Sequence, residues 1–273
     1  MRDQHQVRSE TIDDHFIGAT REERLARIFV ELADALVTDF DLLDFLHLLA
    51  ERSVILLPAE AAALTLIDQR GNLRVLASTS EETRMLELFE LQCAQGPGVD
   101  SFHSGQQVVN VDLQESHDRW PLFSVEAIAA GFATMYALPL RLRGTVIGAI
   151  NLFCVDDAAV SDADVAVGQA LADVATIGLL AQFRPEEDHV IAEHLQAAIN
   201  TRIVIEQAKG VLAERLKINM DQGLMLLRGY ARDQTTKLAA IAAGVIDGSI
   251  PAEQLRVSNT ADEATEAQAS RGP

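Results

Sequence analysis

The sequence lacks most of the motifs that define metal, redox and nucleotide chemistry. Its two cysteines, Cys93 and Cys154, lie far apart and form no CxxC pair, which excludes a zinc ligand set and a disulfide framework. It has no GxxxxGK[ST] loop, no GxGxxG after a strand, and no HExxH or GxSxG motif. The seven histidines are scattered, and His189 and His194 do not share a helical face. We therefore expect no catalytic site, no metal and no cofactor, and do not predict an enzyme.

Basic residues are also scarce. The 22 Lys and Arg stand against 41 Asp and Glu, for a formal charge of −19, so any nucleic-acid site must be local. Hydrophobic residues make up 48 % of the 273 residues, which excludes a largely disordered chain and favours two domains. Residues 1–10 contain no apolar leader, and polar residues interrupt the apolar stretch 166–183, which predicts a core helix. These features predict a cytoplasmic protein without a membrane span.

Hydrophobic periodicity divides the chain into four regions. Residues 22–184 predict an α+β domain, in which helices flank an antiparallel sheet built from two hairpins and a short strand. Within it, residues 95–98 predict a loop. Residues 185–250 predict an all-α domain of three helices. The two ends, 1–21 and 251–273, are predicted to be a flexible N-terminal tail and a disordered C-terminal tail.

The first helix of the all-α region carries an apolar seam with a seven-residue repeat. Its members are Ile191, Ala198, Ile205 and Leu212. Such a seam indicates lengthwise packing on another helix. The partner is either a second copy, which would make the protein a homodimer, or the second and third helices of the same chain. The second helix is predicted to begin at Asn219, with Gln222 as its capping partner.

Charge is distributed unevenly between the regions. Residues 189–250 hold seven bases and six acids, so this segment is +1 while the remainder carries −20. The bases that share a face or a helix end are Arg202 with Lys209, Arg228 with Arg232, and Lys237. Lys209 flanks the seam, so its ammonium is expected to reach solvent. The pattern predicts either a basic patch on a neutral bundle or solvated bases balanced by acids, such as Asp221 or Asp233 beside Arg228.

A turn in the α+β region is the candidate small-molecule site. Gly96, Pro97 and Gly98 form it, and glycines allow a close approach of backbone to a ligand. Trp120 is the single tryptophan and a candidate ligand contact. The alternative is that these residues form only a turn and its packing anchor.

The α+β region resembles a GAF domain, the small-molecule sensing fold of bacterial regulators. The matching motifs are Gly96-Pro97-Gly98, Ser104-Gly105 before Val108-Val109, Trp120-Pro121, Ala137-Leu138-Pro139-Leu140, residues 146–153 and Ala172-Asp173-Val174-Ala175. Two residues of this sequence depart from motifs found in GAF domains. Regulators of this kind often have cysteine where Gly98 stands, which excludes a thiol sensor here. Leu152 stands where the cyclic-nucleotide motif has lysine.

The helical region resembles an ANTAR domain, a three-helix RNA-binding module of transcription antiterminators. The resemblance is carried by Leu195-Gln196-Ala197-Ala198, Arg202, residues 205–212, Leu227-Arg228, Tyr230-Ala231-Arg232 and Lys237-Leu238. It implies an RNA partner, with contacts from Arg202, Lys209, Arg215, Arg228, Arg232 and Lys237. Gly223 and Gly229 depart from the family pattern, and glycine in a helix costs about 1 kcal/mol relative to alanine. We therefore expect a looser second helix.

Together the two resemblances imply an actinobacterial-type GAF and ANTAR antitermination regulator. A signal at the GAF domain would change how the ANTAR domain, as a homodimer, grips hairpin loops in a nascent transcript. A second hypothesis is a DNA-binding sensor with a helix-turn-helix. A third is a small redox enzyme of the GAF type, which two distant cysteines disfavour.

Overall fold

A computed structural model describes residues 18–37, 40–68, 70–142, 144–156, 160–182 and 188–255. The chain divides into two compact units between Glu193 and His194, later than the predicted boundary at 184/185. We call the first the sensor unit and the second the helical unit. Residues 184–187 of the predicted boundary segment 184–188 and most of both predicted tails lie outside the described residues.

The sensor unit is built on one antiparallel sheet of five strands. The strands are β1 (Ala61–Ile67), β2 (Leu73–Ser78), β3 (Val108–Asp112), β4 (Thr134–Leu142) and β5 (Thr145–Cys154). Their order across the sheet is β2-β1-β5-β4-β3, and every neighbouring pair is antiparallel. The predicted α+β class is therefore confirmed.

Six helices flank this sheet among the described residues. They are α1 (Arg21–Val37), α2 (Leu42–Leu56), α3 (Glu81–Cys93), α4 (Pro97–Ser104), α5 (Phe123–Ala129) and α6 (Asp162–Gln182). Asp41 caps α2 through the backbone N–H of Leu43, at 3.0 Å, and Ser80 caps α3. The prediction of a plain loop at 95–98 was wrong, because α4 begins at Pro97. Proline suits a first helical position, where no backbone N–H is needed.

The two faces of the sheet have different coverings. Alternation along β5 places Asn151 and Phe153 on one face, with Ala63 of β1 opposite Asn151. This face packs beneath α3 and α4 in a core that includes Trp120 and Phe123. The other face packs against α2 and α6.

Helix α6 belongs to that second layer. By length and composition alone it could cross a membrane, but half of its apolar window is buried inside the protein. Gln169, which interrupts the apolar run, donates a hydrogen bond to the carbonyl of Pro139 on β4, at 3.1 Å. The helix is thus a core helix that packs on the sheet.

The helical unit contains three helices among its described residues. They are α7 (Asp188–Leu216), which runs through the division between the units, α8 (Met220–Asp233) and α9 (Leu238–Asp247). Asn219 and Gln222 form the predicted capping box at the start of α8. The predicted disorder from residue 251 starts too early, because residues 252–255 form a helical turn in which Ala252 and Leu255 are buried.

The seam of α7 is used inside the chain. Ala198, Ile205 and Leu212 are all buried in the single chain, while the side chain of Ile191 is not described. A Cβ added at Gly223 of α8 would lie 3.8 Å from Leu212, so α8 crosses α7 at this point. Of the two predicted packing partners, the structure provides the one within the chain.

Candidate functional site

The structure separates the six basic residues predicted to contact RNA into three groups. Arg202 and Lys209 lie along α7 and are both paired with an acid. Arg215 is exposed in the last turn of α7. The other three lie on α8 and at the start of α9: Arg228, Arg232 and Lys237.

The pair on α7 is organised around one carboxylate. Glu206 lies one turn from each base, 3.5 Å from the Arg202 guanidinium and 3.0 Å from the Lys209 ammonium. The side chain of Lys209 is only 3 % exposed. The predicted exposure of Lys209 was therefore wrong. The buried ammonium is paired with Glu206 and is not available to a phosphate in this conformation.

Gly223 explains why Lys209 is covered. A Cβ added at Gly223 would lie 3.5 Å from the Cα of Lys209, so α8 approaches the backbone of α7 closely. Gly223 is itself buried. The glycine therefore lies at the crossing of α8 with α7 beside Lys209, and the looser second helix stays a prediction.

The other bases form what we call the basic corner, consisting of Arg228, Arg232 and Lys237. Arg232 lies in the last turn of α8, and Lys237 is the N-cap residue of α9. The connection is tight, since the N–H of Thr236 bonds to the carbonyl of Ala231 at 2.9 Å. Arg232 and Lys237 are exposed and Arg228 is half-buried. Arg215 precedes the start of α8 whereas Arg232 lies at its end, and the 14 residues of α8 span about 20 Å.

The candidate ligand turn is packed against the sheet. Gly96 is the N-cap residue of α4 at φ 150°, Pro97 follows, and both Pro97 and Gly98 are buried. Trp120 is 2 % exposed within the core beneath α3 and α4, and the Arg119 guanidinium lies 4.3 Å from its ring centre. The predicted ligand residues thus lie on the same side of the sheet and are buried in this conformation.

A buried acidic cluster lies beneath that turn, which the sequence analysis missed. Glu87 and Glu90 of α3 are 0 % and 1 % exposed. The Asn151 side-chain amide donates to both, at 2.7 Å to Glu87 Oε1 and 3.2 Å to Glu90 Oε2. Burial, and secondarily the other carboxylate, raises the pKa of Glu90 well above its usual value. Burial also raises the pKa of Glu87 to about 7.

Two signals in the sequence could have indicated this cluster. Glu87 and Glu90 share the inner face of α3 with Leu86, at helical spacing. Asn151 interrupts an otherwise apolar strand. A polar residue in such a strand needs a partner, and an acid on the inner face of a helix can accept from it.

Both thiols donate to backbone carbonyl oxygens. Cys154 is buried and donates to the carbonyl of Pro58 at 3.0 Å, and burial raises the pKa of its thiol to about 11. A thiol with a raised pKa is a poor nucleophile. Cys93 bonds to the carbonyls of Glu90 and Gln95. Within the described part of the chain, no group of three His, Cys, Asp or Glu residues could hold a metal ion.

An open groove of about 590 Å³ lies at the end of α4, away from Trp120. His103, Arg141 and Asp173 are among its lining residues. Arg141 donates to the carbonyl of Gly105, so its guanidinium contributes to local structure. The groove does not include the candidate turn.

Solved structures with a similar fold are GAF domains and relatives. The GAF domain of an Acinetobacter phosphoenolpyruvate-protein phosphotransferase has 13 % identity and a TM-score of 0.47, covering 62 % of this chain and 97 % of that one. A free methionine-R-sulfoxide reductase from Neisseria meningitidis, solved with its substrate, has 18 % identity and a TM-score of 0.46, covering 59 % and 89 %. The phycoerythrobilin-bound GAF domain of a cyanobacterial phytochrome has 15 % identity and a TM-score of 0.44, covering 59 % and 95 %.

Family models match both units, whereas no curated protein matches the chain. The GAF domain model matches residues 41–179, just over half of the chain, and includes the sheet and the acidic cluster. The ANTAR domain model matches residues 193–246, from α7 through α9. GAF domains are sensors and ANTAR domains are RNA-binding antiterminators, which indicates a regulatory protein. The chain belongs to the GAF domain family and carries a C-terminal ANTAR domain.

Proposed function

We propose that this protein is a cytoplasmic regulator that binds hairpin loops in nascent mRNA and prevents transcription termination, under the control of a signal received by its GAF domain. The match of residues 193–246 to the ANTAR domain carries this proposal. The overall charge of −19 fits a protein that contacts RNA only at a local site.

The basic corner is our proposed RNA contact. It combines two exposed cations, Arg232 and Lys237, with Arg228 one turn away on α8. Guanidinium groups pair with phosphate through two N–H groups and also stack on unpaired bases, which suits splayed RNA loops. Arg215 is a second, separate candidate. Lys209 is assigned to the stability of the bundle, and Arg202 joins it through Glu206.

The GAF domain is proposed to sense a small molecule or another chemical signal on the sheet face beneath α3 and α4. This face brings the candidate turn, Trp120 and the acidic cluster to one side of the sheet. In this conformation these residues are buried. Signal binding would therefore require the α3–α4 turn, residues 94–98, to move.

A homodimer is part of the proposal, although the seam of α7 is covered within the chain. The dimer contact therefore involves another surface. Ile203 of α7 is 51 % exposed and offers an apolar residue outside the seam. Sedimentation at micromolar concentration, with and without hairpin RNA, tests this point, and a monomer under both conditions contradicts it.

RNA titration tests the basic corner. Lys237→Ala removes one exposed cation, so we expect weaker binding to all hairpins and a salt slope lower by about one ion. Arg228→Ala should cost about 1–3 kcal/mol of binding free energy if the guanidinium contacts a loop base. Lys217→Ala is the matched control, because this exposed lysine lies beyond the opposite end of α8.

The control should bind RNA like the wild type. Unchanged RNA affinity in both corner variants, with unaltered thermal melts, would exclude the basic corner. Equal affinity for duplex DNA and hairpin RNA would favour the DNA-binding alternative.

A further inference from the structure

The acidic cluster has the hydrogen bonds of a latch on the α3–α4 turn. Glu90 Oε1 accepts from the backbone N–H of Val99, at 3.0 Å, in the first turn of α4. Glu90 Oε2 accepts from Asn151, which also donates to Glu87. One carboxylate therefore connects the turn, the helix before it and the central strand β5.

The turn also seals the cluster. A Cβ added at Gly98 would lie 2.2 Å from Asn151 Nδ2 and 2.6 Å from Oδ1, so the Gly98 backbone rests directly on the amide. This contact leaves no room above Asn151 for a metal ion or an amine while the turn is in place. Any occupant of the closed cluster must be very small.

Two buried oxygen atoms of the cluster lack a hydrogen-bond partner. Glu87 Oε2 and Asn151 Oδ1 are buried and have no hydrogen-bond partner. Both are acceptors, so the missing partner is a hydrogen. Burial raises the pKa of both carboxyl groups, so the pair shares a proton. The free oxygen of Glu87 can carry that proton without loss of an N–H bond, whereas both oxygens of Glu90 already accept one. A single proton on Glu87 needs no extra space and removes one of two adjacent buried charges.

We propose that Glu87, Glu90 and Asn151 form an acid latch: with one proton held by the carboxyl pair the latch keeps the α3–α4 turn on the sheet, and loss of that proton releases the turn. With both carboxyl groups charged, two negative charges would lie in an apolar core and share one amide as donor. Lifting the turn admits water to both carboxylates. The latch thus makes opening of the sheet face depend on pH near neutrality.

Charged groups on the neighbouring elements also favour a carboxyl pair that keeps one proton. Asp100 of α4 adds negative charge near Glu90 and forms an ion pair with Arg119 at 2.7 Å. The strands contribute neutral side chains to this face, including Ala63 on β1 and Asn151 on β5. Helix α5 contributes Phe123 and Ala127 to the core. The cation among these groups, Arg119, is paired with Asp100 and not with the cluster.

The effect on stability has a definite sign. Because burial raises the pKa of Glu87 from 4.5 to about 7, the folded protein binds more protons than the unfolded chain between these values. The contribution of Glu87 to stability is therefore full below pH 4.5 and is lost as pH rises to about 7. The latch rests on the proposed sensing role only for its biological consequence, since opening of the turn is measured without RNA.

Hydrogen exchange on the full-length protein tests the latch. We expect the opening equilibrium of the Val99 amide, corrected for intrinsic exchange, to rise about tenfold between pH 6 and pH 8, because the carboxyl group loses its proton near pH 4.5 when the turn is open and near pH 7 when the turn is closed. Acrylamide quenching of Trp120 should rise in parallel. Glu87→Gln keeps the size of the side chain without a titrating proton, so its turn should stay closed at both pH values. Glu82→Gln, at an exposed position of the same helix, should behave like the wild type.

Equal protection of Val99 at pH 6 and pH 8 in the wild type, or the same pH dependence in Glu87→Gln, would overturn the latch. If Glu87→Gln does not fold, the 13C carboxyl resonances of the wild-type glutamates decide. A Glu87 resonance that titrates near 7 supports the latch, and one that titrates near 4.5 overturns it. A protein that binds no RNA can still show the latch, so the two proposals fail separately.

Discussion

The sensor unit and the helical unit both bury charged side chains, but in opposite combinations. In the sensor unit two carboxyl groups of like charge, Glu87 and Glu90, share one neutral amide. In the helical unit the Lys209 ammonium is buried beside the carboxylate of Glu206, which also faces Arg202. Like charges are tolerated in a core only while one is neutralised, whereas opposite charges neutralise each other.

This difference indicates different roles for the two units. The acidic cluster changes its state with one proton, so its unit can respond to conditions. The cluster on α7 pairs opposite charges, so it needs no shared proton to neutralise it. The chain therefore joins a sensor unit whose buried carboxyl groups depend on one proton to a helical unit whose buried charges are paired.

The largest effect is expected at Gly98 of the sensor unit, where there is no space for a side chain. Gly98→Ala places a Cβ 2.2 Å from Asn151 Nδ2, so the turn or the amide must shift. We expect a loss of about 3 kcal/mol in the free energy of unfolding, at the upper end of the cost of overpacking. Denaturation followed by Trp120 fluorescence measures it, because the single tryptophan reports only on the sensor unit. An unchanged Trp120 transition would mean that the close contact at Asn151 does not exist.

The second-largest effect is expected in the helical unit, at the buried Lys209. Lys209→Ala removes the buried partner of Glu206 and the packing of its stem, and Glu206 keeps Arg202. We expect the helical unit to lose about 2 kcal/mol, less than for a fully buried pair. Circular dichroism should show an earlier transition while Trp120 fluorescence stays unchanged.

Lys217→Ala is the control for that variant. Lys217 and its partner Glu214 are 75 % and 81 % exposed, so the loss should be at most a few tenths of a kcal/mol. If both lysine variants unfold at the same denaturant concentration, burial of Lys209 gives no special stability.

The smallest effects concern glycines in helices of the helical unit. Gly210 has nothing within 4 Å of an added Cβ, so Gly210→Ala should stabilise the unit by about 0.5–1 kcal/mol through helix propensity. Gly223→Ala makes ordinary contacts of 3.4 Å and 3.5 Å with the backbone of Lys209, so it should fit without strain and give a gain of similar size. A thermal melt in which Gly223→Ala is destabilised would contradict these contact distances.

Local rules predicted much of the fold, because those signals lie in adjacent residues. The two predicted hairpins and the short strand correspond to β1–β2, β4–β5 and β3, and the predicted cap Asn219 begins α8 through a side chain that bonds to the next turn. Helix α4 was missed, since its eight residues are too few to show a helical period.

The candidate sites were predicted less well, because burial depends on distant residues. Glu87 and Glu90 resemble solvated acids until Asn151 is placed beneath them. Lys209 resembles an exposed base until Gly223 brings α8 against it. The seam on α7 has the same spacing whether its partner is another copy or another helix of the same chain.

The contact between Gly98 and Asn151 also limits which sequences this lineage can reach by single substitutions. A cysteine at position 98, where related regulators often have one, would place its Cβ against the amide of Asn151. The acid latch and a thiol sensor are therefore alternatives at one place in the fold. A change from one to the other must alter positions 98 and 151 together, so we expect these two positions to covary. Once position 151 no longer carries an amide, we expect positions 87 and 90 to accept residues other than glutamate.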